Sequence, residues 1–108
     1  MQIGNLFTDA ASPQKGERFD TIISHRNLVI ERIISSSGIT PQEYIQPQDE
    51  WVLLVRGEAD LRVDGKLVTL KAGDYLFLRA GVPHRVERTT EAAMWLAVHL
   101  HPEQSATP

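Results

Sequence analysis

The chain has no cysteine among its 108 residues. That excludes a disulfide framework, a thiolate metal site and a cysteine nucleophile, and it fits a reducing compartment. Basic residues are sparse and scattered: 11 Lys and Arg stand against 14 Asp and Glu, for a net charge of −3. Binding a phosphate backbone needs a concentrated positive face, so nucleic acid is not expected as a partner. The opening MQIGNLFTDAASPQKGERF lacks a cationic start followed by an apolar run, so no signal peptide is indicated. No apolar run approaches the roughly 18 residues of a membrane span, so no membrane partner is expected. Internal repeats, low-complexity segments, helical periods longer than two turns and a helix-turn-helix are all missing. These absences together lead to the expectation of a soluble cytoplasmic protein.

What is present is ordinary globular composition, with 42% hydrophobic and 23% charged residues. The length suits one domain with one core. The pattern divides into an N-terminal arm (1–18), a barrel domain (19–101) and a flexible tail (102–108). Strands are expected in the β-branched runs Asp20–Ser24 and Leu28–Ile34, separated by a turn at His25-Arg26-Asn27. Trp51–Val55 is apolar on both faces, the mark of a strand enclosed between layers. Glu58–Val63 alternates polar and apolar, and Asp64-Gly65 then gives the strongest short hairpin signal in the chain. Further strands follow at Lys66–Val68, Tyr75–Leu78, Arg85–Arg88 and Met94–Leu100. Short strands at regular spacing with glycine turns predict an all-β sandwich or barrel.

The chemistry concentrates between Tyr44 and Val86. Tyr44 and Gln46, two apart, face the same way on an extended segment. Strand parity puts Glu50 on the face of Val52 and Leu54; on one reading its carboxylate points into the barrel, where it needs a cation or donors. His84 follows a turn containing Gly81 and Pro83. An imidazole, a carboxylate and an amide oxygen together suit a divalent metal. His99 lies on the last strand, where either face fits the core. Inward, it is a fourth ligand or a general base, and Tyr44 is the companion candidate for acid–base work. Trp51 and Trp95 read as core or interface packing. Arg79 and Arg85 read as solvated charges, with bidentate capture of a substrate carboxylate as the sharper alternative.

The stretch resembles the cupin superfamily. The first cupin motif sets a paired HxH before a glutamate, with a glycine seven positions further on. Glu50 and Gly57 keep that spacing, while Tyr44 and Gln46 stand at the histidine positions. In the second motif Gly73, Gly81 and His84 match, and Arg79 replaces a proline. The resemblance implies a jelly-roll β-barrel binding a divalent metal (Ni, Zn, Fe or Mn) through Glu50, His84 and Gln46. It also implies possible chemistry on a small oxygen-bearing molecule and a homodimer. One histidine and one carboxylate fall short of the two-histidine-one-carboxylate set of non-haem iron oxygenases, which points away from oxygen chemistry. Two alternatives stand beside this reading. One is a non-catalytic module that binds or senses a small molecule. The other is a metal-independent, epimerase-like acid–base enzyme, which requires His84 or His99 to pair with a carboxylate and face Tyr44.

Overall fold

The computed structural model describes residues 1–103. The end of the expected tail, 104–108, lies outside the described residues. Eight strands form: β1 (Glu17–His25), β2 (Leu28–Ser35), β3 (Asp49–Arg56), β4 (Glu58–Val63), β5 (Lys66–Lys71), β6 (Tyr75–Leu78), β7 (His84–Thr89) and β8 (Ala93–Leu100). They build a five-stranded sheet in the order β1-β2-β8-β3-β6 and a three-stranded sheet in the order β5-β4-β7, every pairing antiparallel. The fold is the all-β jelly roll anticipated above. No helix among the described residues is long and apolar enough to cross a membrane.

Local chemistry accounts for the turns. Asp64 and Gly65 both adopt positive φ, 49° and 80°, as a two-residue turn with the twist of its strands demands. Arg26 does the same between β1 and β2, at φ 54°. Gly57, between β3 and β4, is required twice over. Its φ is +90°, and an added Cβ would sit 2.6 Å from Thr90 Oγ1 and 3.1 Å from the Ala93 Cα.

The core lies between the two sheets. Val52 and Leu54 of β3 and Ala93, Trp95 and Ala97 of β8 meet Ala59 and Leu61 of β4 and Leu70 of β5. The alternation of β3 is sharper than its sequence suggests. Glu50, Val52 and Leu54 are buried, whereas Trp51, Leu53 and Val55 are only half-buried on the other face. The expectation of a strand enclosed on both sides is therefore corrected. Trp51 leans on the neighbouring strand's Tyr75 instead, ring centroids 5.5 Å apart. The outer face of β2 is covered by the N-terminal arm. There Arg32, nearly buried, donates to the carbonyls of Leu6 and Thr8 and pairs with Asp20 at 2.7 Å.

Candidate functional site

Strand register sets one polar row across the inner face of the larger sheet. Glu50 of β3 lies directly opposite His99 of β8, and His99 opposite Val29 of β2. Glu31, two residues along β2 on the same face, is then the diagonal neighbour of His99. Its Oε1 meets His99 Nε2 at 2.9 Å. His84 enters from β7 in the opposing sheet. A backbone bridge with Tyr44, Tyr44 N to His84 O at 2.8 Å and His84 N to Tyr44 O at 3.0 Å, holds it at the barrel mouth. The two rings stack with centroids 6.0 Å apart. Gln46, past this bridge, donates its amide nitrogen to Glu50 Oε1 at 3.0 Å. These side chains line a cavity of about 90 Å³ whose walls include Val52, Leu61, Leu78 and Trp95.

The hydrogen bonds fix both imidazoles. A carbonyl only accepts, so His84 Nδ1, 3.1 Å from Val82 O, carries its proton and turns Nε2 inward. Glu31 likewise takes the proton of His99 Nε2, so Nδ1 faces Glu50. The two inward nitrogens stand 3.9 and 3.8 Å from Glu50 Oε1, too far for hydrogen bonds. Side-chain exposures of 9% for Glu50, 9% for His99 and 11% for His84 place all three out of bulk water.

The charges interact. The hydrogen bond to Glu31 raises the His99 pKa above the usual imidazole value; burial opposes this, and the Glu50 carboxylate adds to it. Glu17, at the start of β1, also lines the cavity. Burial raises its pKa; the Ser35 hydroxyl pulls the other way, and repulsion from Glu31 and Glu50 adds to the rise. Ser35 also accepts from Trp95 Nε1 at 3.1 Å, which ties this carboxyl to the core. Burial likewise raises the Tyr44 hydroxyl pKa, keeping it a neutral donor.

All five residues singled out in the sequence, Tyr44, Gln46, Glu50, His84 and His99, line the one cavity. The open question about β8 is resolved: His99 faces inward with Trp95 and Ala97, and His101 lies just past the strand. Arg79 and Arg85 do not line the cavity, and Arg85 pairs with Glu87, so neither serves it as a carboxylate clamp. Glu31 and Glu17 were missed. The signal for Glu31 was available, because Glu31-Arg32 interrupts an apolar strand and each charge there needs its own partner.

The donors suit a divalent cation in kind but not in spacing. Adjacent ligands bound at about 2.1 Å lie roughly 3.0–3.4 Å apart in octahedral or tetrahedral sites, and the 3.8 and 3.9 Å found here are longer than that. Gln46 presents nitrogen, not oxygen, to Glu50. Among the described residues no three His, Cys, Asp or Glu side chains come together in a way that could hold a metal ion.

Several solved structures share this architecture. A candidate mannose-6-phosphate isomerase from Ralstonia eutropha is 36% identical, aligned over 94% of this chain and 100% of its own, with a TM-score of 0.83. A Thermus thermophilus protein (22% identical, 94% and 100% covered, TM-score 0.82) shares the fold. So does KdgF from Halomonas (12% identical, 85% and 84% covered, TM-score 0.74). No curated protein matches the sequence. The Cupin domain family (Cupin_2) matches residues 32–103, and the chain belongs to the cupins.

Proposed function

We propose that this cupin moves a proton within a small oxygen-bearing molecule by acid–base chemistry, as an isomerase. The observation that carries the reading is the buried Glu31–His99 pair at 2.9 Å. It faces Glu50 inside a cavity that Tyr44 also lines. Support for the metal-independent acid–base reading comes from a histidine paired with a carboxylate, His99 with Glu31, in a cavity that Tyr44 also lines, although Tyr44 stacks on His84 and does not face His99. The 36%-identical relative, described as a candidate isomerase, is of the same reaction class.

For a substrate with a C–H next to a carbonyl, Glu50 takes the carbon proton while His99 Nδ1 protonates the carbonyl oxygen. The resulting enediol is neutral. Glu50 then returns its proton to the neighbouring carbon, and His99 recovers one from the other hydroxyl. Carbonyl and hydroxyl have exchanged places with no oxidant or reductant. Glu31 favours the charged form of His99, and the Tyr44 hydroxyl donates to a substrate oxygen. A cavity of about 90 Å³ is smaller than the roughly 150 Å³ that takes up benzene, so only the reacting end of a substrate enters.

The test is incorporation of solvent deuterium next to the carbonyl of small hydroxyketones and hydroxyaldehydes, followed by NMR after EDTA treatment. Incorporation that is lost in Glu50→Gln and His99→Ala supports the reading. No incorporation across the panel refutes it.

A metal-dependent version is the second reading. Two imidazoles turn one nitrogen each toward Glu50, that of His99 also meeting the Gln48 amide nitrogen at 3.4 Å, while their other nitrogens are tied to Val82 and Glu31, the outer partners that metal-binding histidines carry. Glu50, His84 and Gln46 would hold the ion, with His99 within reach, once the Gln46 amide turns over. Activity lost to EDTA and restored by nickel, zinc, iron or manganese selects this reading. We also propose that the chain works in the cytoplasm as a homodimer. β1 is an edge strand exposing Phe19, Ile22 and Ile23, a surface that a second copy would cover. Light scattering reads the mass.

A further inference from the structure

The cavity that the proposed function uses has an uneven charge. Three carboxylates line it, Glu17, Glu31 and Glu50, against two imidazoles. No lysine or arginine lines it. Nearby arginines are engaged elsewhere: Arg62 and Arg85 with Glu87, Arg88 with Asp60. Glu31 is matched by His99. Glu50 is matched less closely: its side chain is 9% exposed, its hydrogen-bond donor is the neutral Gln46 amide, and His99 Nδ1 stays 3.8 Å away. His84 Nε2, aimed at the same oxygen, stays 3.9 Å away. A carboxylate held this far from water without a cation is costly, and an incoming positive group removes that cost. An anionic group meets the opposite field and has no guanidinium or ammonium to receive it.

We infer that the cavity selects a small molecule whose entering end carries an ammonium group beside its oxygen function, and that it rejects phosphate esters and carboxylates. The ammonium sits in the negative field of the Glu17, Glu31 and Glu50 carboxyls, with its apolar carbons on Val52, Leu61 and Leu78. An amino alcohol or amino sugar has this chemistry and a sugar phosphate does not, so specificity here departs from the substrate named for the Ralstonia relative. The inference rests on reading this cavity as the substrate site.

The experiment uses three probes of one skeleton, 1-amino-2-propanol, 1,2-propanediol and lactate, which differ in charge at a single end. Each is titrated into the full-length, EDTA-dialysed protein at pH 7, following the Trp95 indole N–H and the His84 and His99 ring signals by NMR. The expected order is amine, then diol, then lactate. The amine should bind about tenfold or more tighter than the diol, as one partly screened ion pair provides, and Glu50→Gln should bring the two together. Lactate binding as well as the amine, or a diol equal to it, overturns the charge inference and leaves the isomerase reading standing. If no probe moves these signals, the cavity is closed to small molecules and both readings fall. The order in the wild-type protein decides by itself, so the outcome does not depend on Glu50→Gln folding.

Discussion

Replacing Glu31 by Gln removes one charge from the inner row while keeping its size. In the native protein Glu31 Oε1 receives the His99 Nε2 proton at 2.9 Å, with side-chain exposures of 19% and 9%. Hydrogen bonds to charged groups contribute about 1.5–3 kcal/mol. Glu50, 3.8 Å from the other ring nitrogen, offers partial compensation, so a loss near the lower end, about 2 kcal/mol, is expected. At about 5 °C per kcal/mol for a domain of this size, the melting temperature drops by roughly 10 °C. The sign with pH follows from the direction of the His99 shift. Its folded pKa is raised by Glu31, so the stabilisation is fully present below the unfolded imidazole value of about 6.5. It is lost as pH rises through the folded pKa. Melting curves of wild type and Glu31→Gln at half-unit steps from about pH 6 to 9 should converge toward the alkaline end. In the variant, the His99 titration followed by NMR should also move to lower pH. A gap that stays constant or widens with pH would show that Glu31 supports the barrel by packing alone and does not hold His99 charged.

Gly57→Ala should cost at least about 2 kcal/mol in urea unfolding, combining positive-φ strain with a Cβ 2.6 Å from Thr90 Oγ1. Gly65→Ala, which meets nothing within 4 Å, should lose about 1 kcal/mol from its backbone conformation alone; equal losses would refute the contact argument. Glu17→Gln should raise the melting temperature near pH 7.5 and leave it little changed near pH 4. Burial raises the native Glu17 pKa, so its ionised form weakens the fold as pH rises through the carboxylate range. A variant that is destabilised at pH 7.5 would contradict this.

Much of the fold is legible in the sequence because the turns are chemically explicit. Asp64-Gly65 fixes one hairpin, and Gly57 marks a close approach that no side chain tolerates. Parity ties Glu50 to the face of Val52 and Leu54, but with Trp51, Leu53 and Val55 equally apolar on the other face, only the packing of the second sheet selects which face is inner. His99 shows where parity stops: β8 is apolar on both faces, and only its register against Glu50 selects the inner one. Glu31 is hidden for the same reason. It becomes a site residue when β2 pairs with β8 and brings it diagonally to His99, a relation between segments 68 positions apart. The orientation of Gln46 is further out of reach, since it is set by the carboxylate that the amide meets.

The two motif positions that depart from the cupin pattern change how the remaining residues must work. Tyr44 and Gln46 occupy the places of two imidazoles. One stacks on His84 and the other donates to Glu50. Neither brings positive charge, so neutralising Glu50 falls to whatever enters the cavity and, at longer range, to His99. His99 can contribute only while protonated, a form that the Glu31 carboxylate beside it favours. In the proposed function, Glu31, outside both motifs, is therefore the residue that sets how readily His99 carries its proton. If the proposed function holds, a change at Glu31 should alter the pH dependence of deuterium incorporation, whereas a change at Glu50 should abolish incorporation and alter which ligands bind.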